Sequence, residues 1–202
     1  MQAITTATTT LALAARRVIS GSPATGLTVL AVVLAGCADT ESTSPFSWLR
    51  PSAAPAGWRV ARIATGALLH YPPGWRPAPG DAGTATAVLL DPGHHISGYL
   101  NVTPRQGAEA PATWGSFRVT HNAAEGEREV KREALATGLR FRDGRGACVR
   151  DSYTTVSHAR FIELACLVEG ARAASVIVAA AAPGAWSRLS PQLQRAISAF
   201  ET

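Results

Sequence analysis

Apolar and polar positions alternate in blocks whose period changes along the chain. Gly-Ala-Leu-Leu-His-Tyr at 66–71 is an apolar run stopped by Pro72-Pro73-Gly74. Thr84–Leu90 and Gly98–Thr103 are further strand candidates, separated by the turn signal Asp91-Pro92-Gly93. From about Ala112 to Ala136 the pattern reads as helical, with Glu127 and Lys131 at i,i+4, and Gly126 leaves one helix or two open. Ala147–Val156 and Ala159–Val168 flank a polar break at Ser157-His158, the pattern of a β-hairpin. Ser175-Val-Ile-Val-Ala179 is a continuous β-branched run, which predicts a strand covered on both faces. Beyond it Trp186, Leu189, Leu193, Ile197 and Phe200 recur at helical spacing. Ser190-Pro191 is placed as N-cap and first helical residue of that closing helix. Strands, a helix, a hairpin with further strands and a last helix predict an α+β domain, a largely antiparallel sheet sandwiched by helices.

The hairpin pattern makes a sharp claim about register. A turn at Ser157 sets Cys148 opposite Cys166, and directly opposed antiparallel residues approach to about 4.5–5.5 Å, within reach of a disulfide. Two buried free thiols are the alternative. The same register pairs Tyr153 with Phe161, which is favourable, and Asp151 with Glu163, which is not. A bulge or a one-residue shift is expected to relieve that clash.

The first part of the chain follows different rules. A Thr-rich stretch ends in Arg16 and Arg17, an apolar run Leu27-Thr-Val-Leu-Ala-Val-Val-Leu34 follows, and Ala35-Gly36-Cys37 comes next. Cationic flank, short apolar core and small residues are the order of a secretory signal. The run is too short to span a bilayer, which takes about 20 apolar residues. Leu34-Ala35-Gly36-Cys37 resembles a bacterial lipobox, at which a diacylglyceryl group joins the Cys sulfur before cleavage. Residues 1–36 are therefore expected to be a lipoprotein signal peptide, and Cys37 the lipid-bearing first residue of the mature chain. Residues 37–57, rich in Ser, Thr, Pro and Ala, are expected to be a flexible tether, and 58–202 a single folded domain. Phe46, Trp48 and Leu49 interrupt the tether, and are placed either to dock on the domain or to dip into the lipid interface.

Composition adds exclusions. Taking Arg16 and Arg17 from the 19 Lys and Arg leaves 17 cations against 14 acids, a net charge of +3 rather than the +5 of the whole chain. The basic cluster Arg128, Lys131 and Arg132 is interleaved with Glu125, Glu127, Glu129 and Glu133, and reads as a solvated helix face. Nothing here marks a nucleic-acid partner. The exported setting favours a disulfide between Cys148 and Cys166, Cys37 being used by lipid. Heavy use of Ala, Gly, Arg and Pro suggests a GC-rich, actinobacterial source.

Candidate chemistry is sparse. The chain has no Gly-x-Ser-x-Gly elbow, no His-Glu-x-x-His, no phosphate loop and no Cys-x-x-Cys. His94-His95 beside Asp91 is the most suggestive set, but neighbours on an extended chain face opposite ways, so no metal and no cofactor is expected. Ser157-His158 is explained by the turn it occupies. Asn101-Val102-Thr103 matches a glycosylation sequon inside a strand, a coincidental match in a bacterial protein. Tyr71, Trp75, Trp114 and Trp186 either line an apolar pocket or fill core seams.

Tyr71-Pro72-Pro73-Gly74-Trp75 after a strand, the late hairpin running into an apolar strand, and the closing amphipathic helix resemble the PsbP-like superfamily, particularly its LpqN-type lipoproteins of mycobacteria. That resemblance implies an α/β/α sandwich and accessory or binding roles rather than catalysis, and it carries over no active site. The expectation is a monomeric envelope lipoprotein, held to the membrane by lipid, that binds a protein or a hydrophobic ligand. The alternative is an envelope hydrolase whose site assembles only in the fold.

Overall fold

The strand at the middle of the sheet is the one with the most continuous apolar run. In the computed structural model, which describes residues 44–202, β9 (Ala174–Ala181) lies between β5 (Ile96–Pro104) and β8 (Arg160–Gly170), and seven of its eight residues are buried. The remaining strands are β3 (Arg76–Ala78), β4 (Ala85–Leu90), β6 (Arg128–Arg140) and β7 (Gly144–Thr154). Together they form a seven-stranded sheet in the order β3-β4-β5-β9-β8-β7-β6, with every pair antiparallel.

One face of the sheet carries helix α2 (Pro183–Ser198) and a separate hairpin of β1 (Arg59–Arg62) and β2 (Leu68–Tyr71). Leu69, Tyr71 and Trp75 meet Leu189, Leu193 and Ile197 there, over Leu100, Leu164 and Ile177 of the sheet. The other face carries α1 (Trp114–Ala124), which follows a short 3-10 turn at Pro111–Thr113 and covers a smaller cluster of Trp114, Val149, Ala165, Leu167 and Val178. The domain is an α+β sandwich with its larger core under α2.

The expected hairpin forms with its expected register. Cys148 pairs with Cys166 and Tyr153 with Phe161, and the turn falls at Val156–His158. A disulfide joins Cys148 to Cys166 across Cα atoms 4.1 Å apart, inside the α2-side core.

Four expectations are corrected. The helical reading of 112–136 holds only to Ala124. Gly126 adopts φ +90°, which ends the helix, and residues from Arg128 on pair with β7 as the long edge strand β6. The charged residues from 128 to 133 are solvated equally well on a sheet edge, and Glu133 forms an ion pair with Arg150 across the strands at 2.8 Å instead of with a partner along a helix. Charges and three register irregularities make β6 a blunted edge.

The closing helix starts at Pro183, not at Ser190-Pro191, and Pro191 lies inside it. Pro183 supplies the same first-turn signal. Pro191 is exposed, and so is Ser187, whose carbonyl loses its helical partner and faces water.

The Asp151–Glu163 opposition is relieved by neither bulge nor shift, since β7 and β8 pair without interruption.

Within the segment expected to be tether, Phe46 (2% exposed) and Leu49 (6%) sit in the α2-side core, and the Ser52 N–H donates to the Ser198 carbonyl at 2.9 Å. Of the two placements open to Phe46 and Leu49, the structure shows docking. The leader 1–36, Cys37 and residues 38–43 lie outside the described residues.

Candidate functional site

Two acids that the register sets face to face need a cation, and α1 brings one. Trp114 anchors the start of the helix, its indole N–H donating to the Ala165 carbonyl at 2.8 Å. Phe117 and His121 stack behind it in sequence, with ring centroids 5.6 Å and 5.7 Å apart. One turn on from Trp114, Arg118 points at the sheet and forms an ion pair with Glu163. Its guanidinium carbon lies 5.9 Å from the Trp114 ring centre, close enough for a cation–π contribution.

Glu163 is 1% exposed and Arg118 7%. The second Glu163 oxygen accepts the Tyr153 hydroxyl at 3.0 Å. Asp151, fully buried, is served less well. Its Oδ2 accepts Asn122 Nδ2 at 3.5 Å, and its Oδ1 has no partner among the described residues, nor has Arg118 Nε.

One cation between two carboxylates leaves a proton to be placed. Burial, reinforced by the Glu163 charge and opposed by Arg118, pushes the Asp151 carboxyl up to about 8, so it carries its proton at neutral pH. Burial works against the charge on Arg118, but Glu163, Tyr99 and Asp151 outweigh it and hold the guanidinium ionised. The phenols of Tyr99 and Tyr153 are pushed well above their ordinary range, first by burial and then by Glu163. Glu127, at the helix exit, is also raised, by burial and by the charges of Glu163 and Glu125.

Above this cluster the sheet is open. A cavity of about 290 Å³ lies against α1, walled by Tyr99, Asn101, Phe117, His121 and Tyr153, with Arg118 and Glu163 in its lining. A second hollow of about 320 Å³ shares Tyr99, Glu127 and Tyr153 and continues toward β3 and β4, over Val88, Ile96 and Phe161. The two make one groove, polar and acidic at the α1 end and apolar at the other. Ile96 (45% exposed) and Val156 (63%) are large apolar side chains left open to solvent, and Ile96 lines the apolar end. Such a surface offers a ligand apolar contact and a few directed polar groups.

The residues singled out by sequence mostly lie elsewhere. His94 takes φ 63° at an exposed turn, and His95, its side chain 83% exposed, meets only Asp91, at 3.5 Å. A hydrolytic site built on His94 and His95 needs both rings and a carboxylate in one cleft, and the turn does not bring them there. Among the described residues no group of three or more His, Cys, Asp or Glu is arranged to hold a metal ion. Ser157 contacts Thr155 through their hydroxyls at 2.9 Å within the hairpin turn. Asn101 does line the groove, with its Nδ2 donating to Thr86 Oγ1 at 2.7 Å.

The four aromatics do not share a pocket, because the sheet divides them. Tyr71 and Trp75 are in the α2-side core and Trp186 packs against it under Arg150, whose guanidinium carbon is 5.2 Å from the indole centre. Trp114 is on the opposite face. The Arg118–Glu163–Tyr153 cluster itself carries no sequence motif. Its one legible signal was the opposition of Asp151 to Glu163, for which a bulge or shift was expected and for which the structure supplies a counterion from another element instead.

No family model matches the chain, and no curated protein matches it. Solved structures do. The solution structure of cyanobacterial PsbP (CyanoP) from Synechocystis is 14% identical at a TM-score of 0.54, covering 75% of this chain and 94% of that one. A Pseudomonas aeruginosa protein of unknown function is 12% identical at a TM-score of 0.48, covering 72% of this chain and 96% of that one. LpqN of Mycobacterium tuberculosis, a protein involved in cell envelope biogenesis, is 14% identical at a TM-score of 0.42, covering 71% and 88%. The likeness to the cyanobacterial protein shows that the fold is PsbP-like.

Proposed function

We propose that this chain is an actinobacterial-type lipoprotein, exported, cut before Cys37 and held by lipid on the outer face of the cell membrane, where its PsbP-like domain acts as a binding module. The observation that carries the binding role is the open groove beside α1. It combines exposed apolar surface at Ile96 with a rigid, hydrogen-bonded floor at Arg118, Glu163 and Tyr153. A hydrophobic ligand with a polar end, or a protein segment of that character, fits both halves. The leader sequence and the lipobox-like Leu34-Ala35-Gly36-Cys37 support the location. The Cys148–Cys166 disulfide is in keeping with an oxidising compartment. Among the described residues no helix is long and apolar enough to cross a membrane. A lipid anchor at Cys37 is energetically sufficient, two acyl chains holding where one is marginal.

Two measurements test this. The intact mass of protein extracted from membranes should equal residues 37–202 plus a diacylglyceryl group, and a Cys37→Ser variant should lose that addition. A mass that begins elsewhere, or carries no lipid, refutes the anchor. For the binding role, a photo-crosslinking residue at Ile96 or Phe117 should capture a defined adduct in living cells, while one at the exposed Arg172 should not. Equal labelling from all three positions, or none from the groove, refutes the groove as the binding surface.

A further inference from the structure

Charge is sorted across the sheet. Residues 44–80, which supply the docked N-terminal segment, the β1–β2 hairpin and the start of β3, contain Arg50, Arg59, Arg62 and Arg76 and neither Asp nor Glu. Helix α2 on the same face contains Arg188 and Arg195 and again no acid. Of the three acids bordering this layer, Glu133 is tied to Arg150 at 2.8 Å and Glu201 to Arg142 at 2.5 Å, while Asp143 accepts the Thr202 N–H at 3.0 Å. On the opposite face the groove is lined by Glu109, Glu125, Glu127 and Glu163. A net charge of only +3 from Cys37 onward therefore conceals an arginine-bearing α2 face without free acids of its own, opposite a groove in which the glutamates outnumber Arg118.

The cationic face is also the one to which the chain's beginning is tied. Phe46 and Leu49 are buried against the α2-side core, and Trp48, half-buried, stands beside Arg50 and Arg195 around a notch of about 410 Å³. Arg50, Arg188 and Arg195 are exposed, and none is in an ion pair among the described residues. Cys37 precedes Phe46 by nine positions. Nine residues reach at most about 30 Å when fully extended, and about 15–18 Å as a flexible coil. A lipid on Cys37 thus tethers the chain to the bilayer from the side on which Phe46 and Leu49 are docked.

We infer that the α2 face, through Arg50, Arg188 and Arg195 with Trp48 between helix and tether, docks on the anionic phospholipid surface of the membrane and so turns the acidic groove away from it. The inference rests on the lipid-anchor reading of Cys37. Arginine pairs with phosphate through its planar fork, and tryptophan favours the headgroup level, so both residue types suit the occupant. Each cation near an anionic surface adds about fivefold to partitioning, so three together contribute about a hundredfold.

The test uses the chain from residue 37 with Cys37→Ser, so that no lipid assists binding; the described residues form one compact unit with its own core. It should co-sediment with vesicles rich in phosphatidylglycerol and not with phosphatidylcholine vesicles, and salt should release it. Arg50→Gln, Arg188→Gln and Arg195→Gln together should lower binding about a hundredfold. Arg140→Gln, Arg160→Gln and Arg172→Gln, an equal loss of charge outside this layer, should leave it within a few-fold of the parent. Equal binding to both vesicle types, or equal effects of the two triple variants, overturns the inference. A lipidated protein with an unaffected Arg50, Arg188 and Arg195 variant refutes the docking face alone. An unlipidated protein with the expected vesicle pattern refutes the anchor alone.

Discussion

Arg118 of α1 and Glu163 of β8, 45 positions apart, form a buried ion pair that links the helix to the sheet beneath it. Because both side chains are cut off from water, removing one strands the other. Arg118→Ala should destabilise the domain by about 3–5 kcal/mol. For a domain of this size that is a fall in Tm of roughly 10 °C, measurable by circular dichroism. A loss under about 1 kcal/mol would mean that water reaches Glu163 and that the pair does not hold the helix.

Asp151 sets a pH dependence of definite sign. Its carboxyl titrates at about 8 in the folded chain against about 4 when unfolded, so over that interval the folded state binds more protons. Stability therefore falls as pH rises from about 4 to about 8 and levels off above, with a slope approaching 1.4 kcal/mol per pH unit. Asp151→Asn removes the ionisable group and should flatten that part of the profile. Urea unfolding of both proteins across this range makes the comparison. Parallel profiles would show that Asp151 is ionised in the fold.

The Cys148–Cys166 bond closes a loop with a sequence separation of 18. In the chain-entropy model such a loop contributes about 3 kcal/mol. Reduction, or the pair Cys148→Ala and Cys166→Ala, should lower the urea midpoint accordingly, while the pairing of β7 and β8 persists. A midpoint that does not move would place the constraint in the unfolded chain already.

Phe46 tests where the folded unit begins. With the ring buried among α2-side core residues, Phe46→Ala should cost about 3–5 kcal/mol. A free tether residue would cost nothing measurable. Thermal melts of this variant beside Ser47→Ala, an exposed neighbour, separate the two.

Much of the fold could be read from local pattern because each signal was self-contained. The β7–β8 register follows from the turn at Ser157-His158 and from the matched positions of Cys148 and Cys166 about it. Burial of β9 follows from five consecutive apolar or small residues. The helical stripe of Leu189, Leu193 and Ile197 lies on the core as its spacing requires, although the proline that starts the helix is Pro183 and not Pro191. Where the reading failed, two states satisfied the same local rule. Glu127 through Glu133 serve as a solvated helix face or as a charged sheet edge, and only Gly126 at φ +90° and the pairing with β7 chose the edge.

By itself, then, the sequence determined which segments are apolar enough to be buried and how β7 and β8 face each other, while the uninterrupted opposition of Asp151 to Glu163, which a bulge or shift was expected to relieve, was decided by the fold. Tertiary structure alone decided that Arg118 supplies the missing charge, that Phe46 and Leu49 fold back under α2, and that a groove with four glutamates in its lining lies on the sheet face opposite Arg50, Arg188 and Arg195. The physical reason is range. Periodicity and turn chemistry act over a few residues, whereas a buried charge and an exposed groove depend on which distant element comes to lie above them.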